Sequence, residues 1–187
     1  MQFQNRFPTL VAVAAALGTC GLASAADYDE AVDRDLPGVS DGPFFFDVDL
    51  GDNSVSGTVG GDGSLEEDFI AFSIDGGQAL SAITLTSFVT AGGNTSTGFR
   101  LYADLGSGFE QVSPGSITPA DVGTNYLTEW DLSDVGGSIP LGPGDYGVVL
   151  AEFTAGQAYS FDITVIPAPG SLALLGIGGL AVARRRR

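Results

Sequence analysis

Asp68-Phe69-Ile70-Ala71-Phe72-Ser73-Ile74 and, just beyond Asp75-Gly76-Gly77, Leu80-Ser81-Ala82-Ile83-Thr84-Leu85-Thr86-Ser87-Phe88-Val89 decide how this chain folds. Both runs are rich in β-branched and aromatic residues and are bounded by turn-forming residues, the pattern of strands packed on a core. Working outward, Phe44–Leu50 reads as a strand with Phe46, Val48 and Leu50 on one face and Asp47 and Asp49 on the other. Ser54–Val59 alternates polar and apolar. Gly98–Ala103 and Phe109–Val112 form a hairpin across residues 104–108. Tyr146–Phe153 and Tyr159–Val165 form a second, turned at residues 154–156. No stretch between residues 26 and 166 holds a helical period, and Gly or Pro punctuates the chain throughout. The expected fold is all-β, a single antiparallel sandwich over residues 44–166 with an acidic lead segment at 26–43.

Residue usage excludes several chemistries. The 187 residues contain no histidine and no lysine, and Cys20 is the single cysteine. Ser-His-Asp and Cys-His nucleophiles, Cys/His zinc sites and Schiff-base lysines are therefore ruled out. The formal charge of −16 conceals a sharper asymmetry, because five of seven arginines lie at the ends. Residues 26–166 carry Arg34 and Arg100 against 23 carboxylates, a net of −21. Such a surface repels nucleic acid and anionic membrane, and catalysis would have to rely on carboxylates and tyrosines alone. The expectation is a protein with no catalytic residues.

The two ends read as addresses. Residues 1–25 have a basic Arg6, an apolar run from Leu10 to Gly18 and the small-x-small site Ala23-Ser24-Ala25, which predicts a signal helix cut before Ala26. Removal would leave no cysteine, so the fold is expected to stand without disulfides. At the other end, Val165–Gly170 is expected to interrupt regular structure, because Pro167, next to Ala168, and Pro169, before Gly170, force extended backbone and remove donors. Residues 171–183 then form an apolar helix candidate, and Arg184, Arg185, Arg186 and Arg187 close the chain. Thirteen residues at about 1.5 Å each reach roughly 20 Å, less than the ~30 Å hydrocarbon layer. Arginines behind an apolar helix stay on the cytoplasmic side.

This tripartite ending over residues 167–187 resembles the PEP-CTERM sorting tail of exported bacterial proteins, with Pro167-Ala168-Pro169 where the family usually has Pro-Glu-Pro. The resemblance implies recognition by an exosortase, a membrane cysteine protease-transpeptidase, and release or transfer of the ectodomain to the cell surface after a transient stay in the inner membrane. Three inner segments, Ser54–Val59, Glu67–Phe72 and Leu141–Tyr146, resemble the bacterial pre-peptidase C-terminal (PPC) domain, which implies a jelly-roll-like accessory module.

Two constellations are candidates for binding. Asp47, Asp49 and Asp52 with Glu66, Glu67 and Asp68 are the densest oxygen clusters, and calcium takes 6–8 such ligands. The simpler reading is a solvated acidic edge that discourages strand aggregation. Asp68 is expected to cap a turn. Tyr126 and Trp130 lie in the long connector from Ser113 to Pro140, where exposed rings could stack on sugars; the alternative is that Trp130 and Leu132 form one more inward-facing strand. No cofactor is expected, with calcium as the open alternative. The functional expectation is a non-catalytic structural or accessory protein of the cell surface or extracellular matrix, or else a module binding extracellular polysaccharide or calcium.

Overall fold

The computed structural model describes residues 26–61, 63, 65–91, 95–152 and 156–170. The expected signal helix, the apolar segment 171–183 and Arg184 to Arg187 lie outside the described residues. Ten strands form two packed sheets. One sheet has the order β1 (Asp27–Asp29), β3 (Gly51–Val59), β10 (Gln157–Pro167), β5 (Gln78–Val89). The other runs β2 (Phe44–Phe45), β4 (Glu66–Ile74), β9 (Gly144–Glu152), β6 (Thr97–Asp104), β7 (Phe109–Ser113), with β8 (Ser116–Ile117) also paired to β6. The expected sandwich is the fold.

Alternation explains the core. Ile70, Phe72 and Ile74 of β4 lie beside Val148, Leu150 and Tyr146 of β9, and these beside Phe99 and Leu101 of β6, on the inner face of one sheet. Phe161, Ile163 and Val165 of β10 close over them with Val55, Ile83 and Leu85. Strands buried on both sides, such as β9, lose the polar alternation of half-exposed ones. The lead segment belongs to this core too, since Tyr28 and Leu36 are buried within it.

Several local expectations are corrected. The expected strand at Phe44–Leu50 survives only as β2, paired in parallel with Ile70 and Ala71. Beyond Phe46 the chain must cross to the other sheet, and buried Asn53 holds the crossing. Its amide donates to the Asp49, Gly51 and Ile163 carbonyls, and its oxygen accepts from Asp49 N–H. Leu50 consequently lies 41% exposed rather than facing the core. Nor is the sandwich wholly antiparallel: β1 and β2 pair in parallel with β3 and β4, because the lead segment runs alongside both edges in the direction of its neighbours.

β9 and β10 are not a hairpin. β9 pairs with β4 and β6, whereas β10 pairs with β3 and β5 in the opposite sheet. Each is an interior strand needing a neighbour on both sides, so the connection at residues 153–156 crosses from one sheet to the other. The connector after β8 contains short 3₁₀ turns at Pro119–Asp121, Tyr126–Thr128 and Ser133–Val135 instead of another strand. It covers the open edge of β5: Gly123 N–H donates to Leu85 O, Leu85 N–H to Thr124 O, and Leu80 and Leu141 exchange both bonds. An uncovered β5 edge would be a template for aggregation.

Candidate functional site

Asp68 is the least expected residue of the interior. Its place in β4 puts it on the same inward face as Ile70 and Phe72, so it lies inside the sandwich instead of capping a turn, and it is 0% exposed. Tyr159 of β10 reaches it from the opposite sheet, its hydroxyl donating to Asp68 Oδ2 at 2.9 Å. Asp68 Oδ1 has no partner among the described residues. The charges acting on the pair are acidic as well: Glu30 and Asp35 of the lead segment and Glu66 of β4. Burial first, then the Glu30 carboxylate, pushes the Asp68 carboxyl up to about 8, so at neutral pH the acid is mostly protonated. Burial and then Asp68 likewise hold the Tyr159 phenol well above its ordinary range.

Glu30 fastens the lead segment over this pair. Its Oε2 accepts from Thr58 N–H at 2.6 Å, and its Oε1 from Leu36 N–H at 3.2 Å. Gly57 makes the approach feasible, since a Cβ there would lie 2.6 Å from both Glu30 Oε2 and the Tyr159 hydroxyl. Burial raises the Glu30 carboxyl above its usual range, offset in part by the Thr58 and Leu36 N–H groups. The hollow beside it, about 420 Å³, is lined by Glu30, Asp35, Gly57 and Tyr159. A proton-bearing latch, tying lead segment to both sheets, is what this geometry makes.

The other expected site residues are dispersed. Asp52 accepts from Thr164 Oγ1 at the surface of β3, Glu67 faces Arg100 at 3.9 Å on the outer side of β4, and Asp68 is internal. Asp47 and Asp49 lie on the crossing between sheets. Among the described residues no group of three or more acidic side chains is placed to hold a metal ion. Tyr126 and Trp130 are 5% and 7% exposed, packed on Phe99 with ring centroids 4.9 and 5.2 Å away. Both rings are thus mostly covered, with their remaining edges lining a hollow beside Pro114 and Glu129. Aromatic surface is found elsewhere, on the outer side of the second sheet, where half-exposed Phe45 meets Phe109 at 6.0 Å, and buried Phe69 lies beneath against Tyr102 and Phe109. Phe45 also borders a groove of about 760 Å³ that runs past Arg34, Ser40, Asp41 and Glu66. Period-two alternation could have revealed Phe45, Phe69 and Tyr102 as one face, once the strand pairing was known.

At the end of β10 the fold runs straight into the ending singled out in the sequence. Pro167 pairs with Gln78, and Ala168 N–H donates to Gly77 O at 2.7 Å. The expected break at Val165–Gly170 is thus confined to Ala168, because Pro167 occupies the strand's last position, where a missing N–H costs little, and Pro169 and Gly170 already begin a helical turn. Residues 165–187 match the PEP-CTERM protein-sorting motif. The chain carries a PEP-CTERM sorting tail. This marks it as an exported protein targeted to an exosortase-type processing enzyme. Comparison with curated proteins and with solved structures gives no match. Among the described residues no helix is long and apolar enough to cross a membrane.

Proposed function

We propose that this chain is a non-catalytic structural or accessory protein of the cell surface or extracellular matrix, delivered there when an exosortase removes its PEP-CTERM tail. The observation that carries the reading is the motif match beginning at Val165, inside the last strand, so that the sandwich and the sorting signal are joined without a spacer. A non-catalytic role is supported by the absence of histidine and lysine and by the burial of Asp68, the acid with the largest upward shift, away from any substrate. The tail is expected to hold the protein in the inner membrane only until it is cut, since residues 171–183 are short and contain Gly176, Gly178 and Gly179. A protein tagged in the exposed turn between Gly106 and Ser107 and again after Arg187 tests this by fractionation. The two tags should separate, the first reaching the surface or medium. One stable membrane species bearing both would overturn the sorting reading.

The outer aromatic face supports a second reading, contact with extracellular polysaccharide. Phe45 and partly exposed Tyr102 offer ring surface, and the Arg34 groove that Phe45 borders offers hydrogen-bonding groups. Binding to a glycan array that vanishes in Phe45→Ala/Tyr102→Ala, while Trp130→Phe retains it, is the expected result. Unchanged binding in the double variant would remove these rings from consideration.

A further inference from the structure

The first residues of the sorting signal are part of the sandwich. β10 is an interior strand, so its backbone is bonded to β3 on one side and β5 on the other through Val165, and to β5 alone at Ile166 and Pro167. Ile166 pairs with Ala79, Pro167 with Gln78, and Ala168 N–H adds a last bond to Gly77 O. The acceptor is itself fixed, for Gly77 sits at φ 97° in a turn closed by the Gln78 N–H to Asp75 O bond. Pro169 and Gly170, next along, are exposed, lie beyond the sheet and begin a helical turn. A processing enzyme takes its substrate as an extended chain whose backbone groups are free to pair with the cleft. Strand residues paired in a sheet meet that requirement only after the sheet opens, whereas exposed residues beyond the sheet need only local unwinding.

We propose that the sandwich gates its own processing: the tail is cut on the C-terminal side of Ala168, and the enzyme reaches the residues before the cut only when the last rungs of β10, Ile166 to Ala168 against Gly77 to Ala79, open. The inference rests on the sorting reading above and deepens it by assigning the boundary of the cut and the step that limits it. In the cut the amide C–N bond breaks, the acyl carbon passes to the enzyme's cysteine sulfur, and the thiol proton leaves on the freed amine. Water or an acceptor amine then takes the acyl group and restores the thiol. Nothing in the sandwich supplies a reacting group. Its part is to withhold Pro167 and Ala168 while the rungs are closed and to yield them when they fray. When opening and closing are faster than the cut, the rate follows the open fraction.

The test uses the full chain expressed in an exosortase-bearing host. Mass spectrometry of the released ectodomain should find C-termini at Ala168 or beyond. Pulse-chase then compares the wild type with a variant carrying Gly-Ser-Gly-Ser-Gly-Ser between Ile166 and Pro167, which moves Pro167 and the residues after it out of the sheet and leaves residues 167–187 contiguous. Processing of that variant should be faster by about five- to tenfold, the scale of one or two net hydrogen bonds. A product ending at or before Pro167, or an equal rate in the linker variant, would overturn the gate while leaving sorting intact. No truncated species from either chain would overturn the sorting reading and the gate together.

Discussion

The Tyr159 hydroxyl donates to Asp68 Oδ2 at 2.9 Å across the whole thickness of the sandwich, from β10 in one sheet to β4 in the other. It is a side-chain tie between the two sheets, bordered by the apolar core. A neutral acid accepts such a bond at small cost, but an ionised one, with Oδ1 unpartnered and only carboxylates nearby, does not.

Stability should therefore depend on pH with a definite sign. The Asp68 carboxyl titrates near 3.9 when unfolded and near 8 when folded. Below about pH 4 both states are protonated and the tie is fully available. Between pH 4 and 8 the unfolded chain gives up the proton and the folded one keeps it, so stability falls as pH rises and levels off above 8. The full shift corresponds to about 6 kcal/mol, an upper bound because a buried carboxylate gains relief from local relaxation. The Glu30 shift has the same direction. Thermal unfolding should give a higher Tm at pH 5 than at pH 8.5. Asp68→Asn, isosteric with the neutral acid, should flatten that slope and raise Tm at the alkaline end. A Tm rising from pH 5 to 8.5 in the wild type would contradict this account.

Trp130 should behave as a core residue. Its ring rests between Phe99 and Tyr126, with Nε1 sealed against the Gly115 backbone. As the single tryptophan it should fluoresce at short wavelength and shift red on unfolding. Trp130→Ala should cost about 3–5 kcal/mol, the usual range for emptying a large aromatic site. A loss below about 1 kcal/mol in urea unfolding would place the ring at the surface.

How far the sequence reaches is clear from particular residues. Ile70, Phe72, Ile83 and Leu85 announce their strands because alternation is a local property, and those strands form as expected. Which strands become neighbours is not local. Tyr146–Phe153 and Tyr159–Val165 look like a hairpin because a short turn-like segment separates them, yet pairing is settled by β4, β6, β3 and β5, far away in the chain. Asp68 is similar. A carboxylate after Glu66 and Glu67 reads as the end of an acidic edge, and only the reach of Tyr159 and the cover from Glu30 explain its burial. The sorting motif was legible because its parts are contiguous, although the match begins two residues earlier, at Val165; its docking through Ala168 was not, since the partner is Gly77.

Gly57 should be intolerant of any side chain. Its added Cβ would lie 2.6 Å from Glu30 Oε2 and 2.6 Å from the Tyr159 hydroxyl, so one must withdraw. Gly57→Ala is expected to cost about 1–3 kcal/mol, the range for overpacking or a lost buried hydrogen bond. Coupling in a double-mutant cycle with Tyr159→Phe should reach at least about 0.5 kcal/mol. Additive losses within about 0.3 kcal/mol would show that the two positions do not share this space.

Glu30 should matter to the lead segment more than to the sandwich as a whole. Its two oxygens take the Thr58 and Leu36 N–H groups, and β1 adds only Asp27–Asp29 to the edge of β3. Three strand residues cannot hold a segment unaided, so the carboxylate, with Tyr28 and Leu36 in the core, completes the attachment. Glu30→Gln keeps one acceptor and loses the charge that raises Asp68; Glu30→Ala loses both acceptors. Hydrogen exchange should show Asp27–Asp29 and the Leu36 amide opening faster in Glu30→Ala by about tenfold, as expected for about 1.4 kcal/mol of lost hydrogen bonding to a charged group. Exchange in β9 and β10 should remain slow, because their bonds lie within the sheets. Glu30→Gln should exchange at an intermediate rate and lower the pH at which Asp68 titrates, since one of the carboxylates that raise it is gone. Equal exchange in all three proteins would show that the apolar contacts alone hold the strap in place.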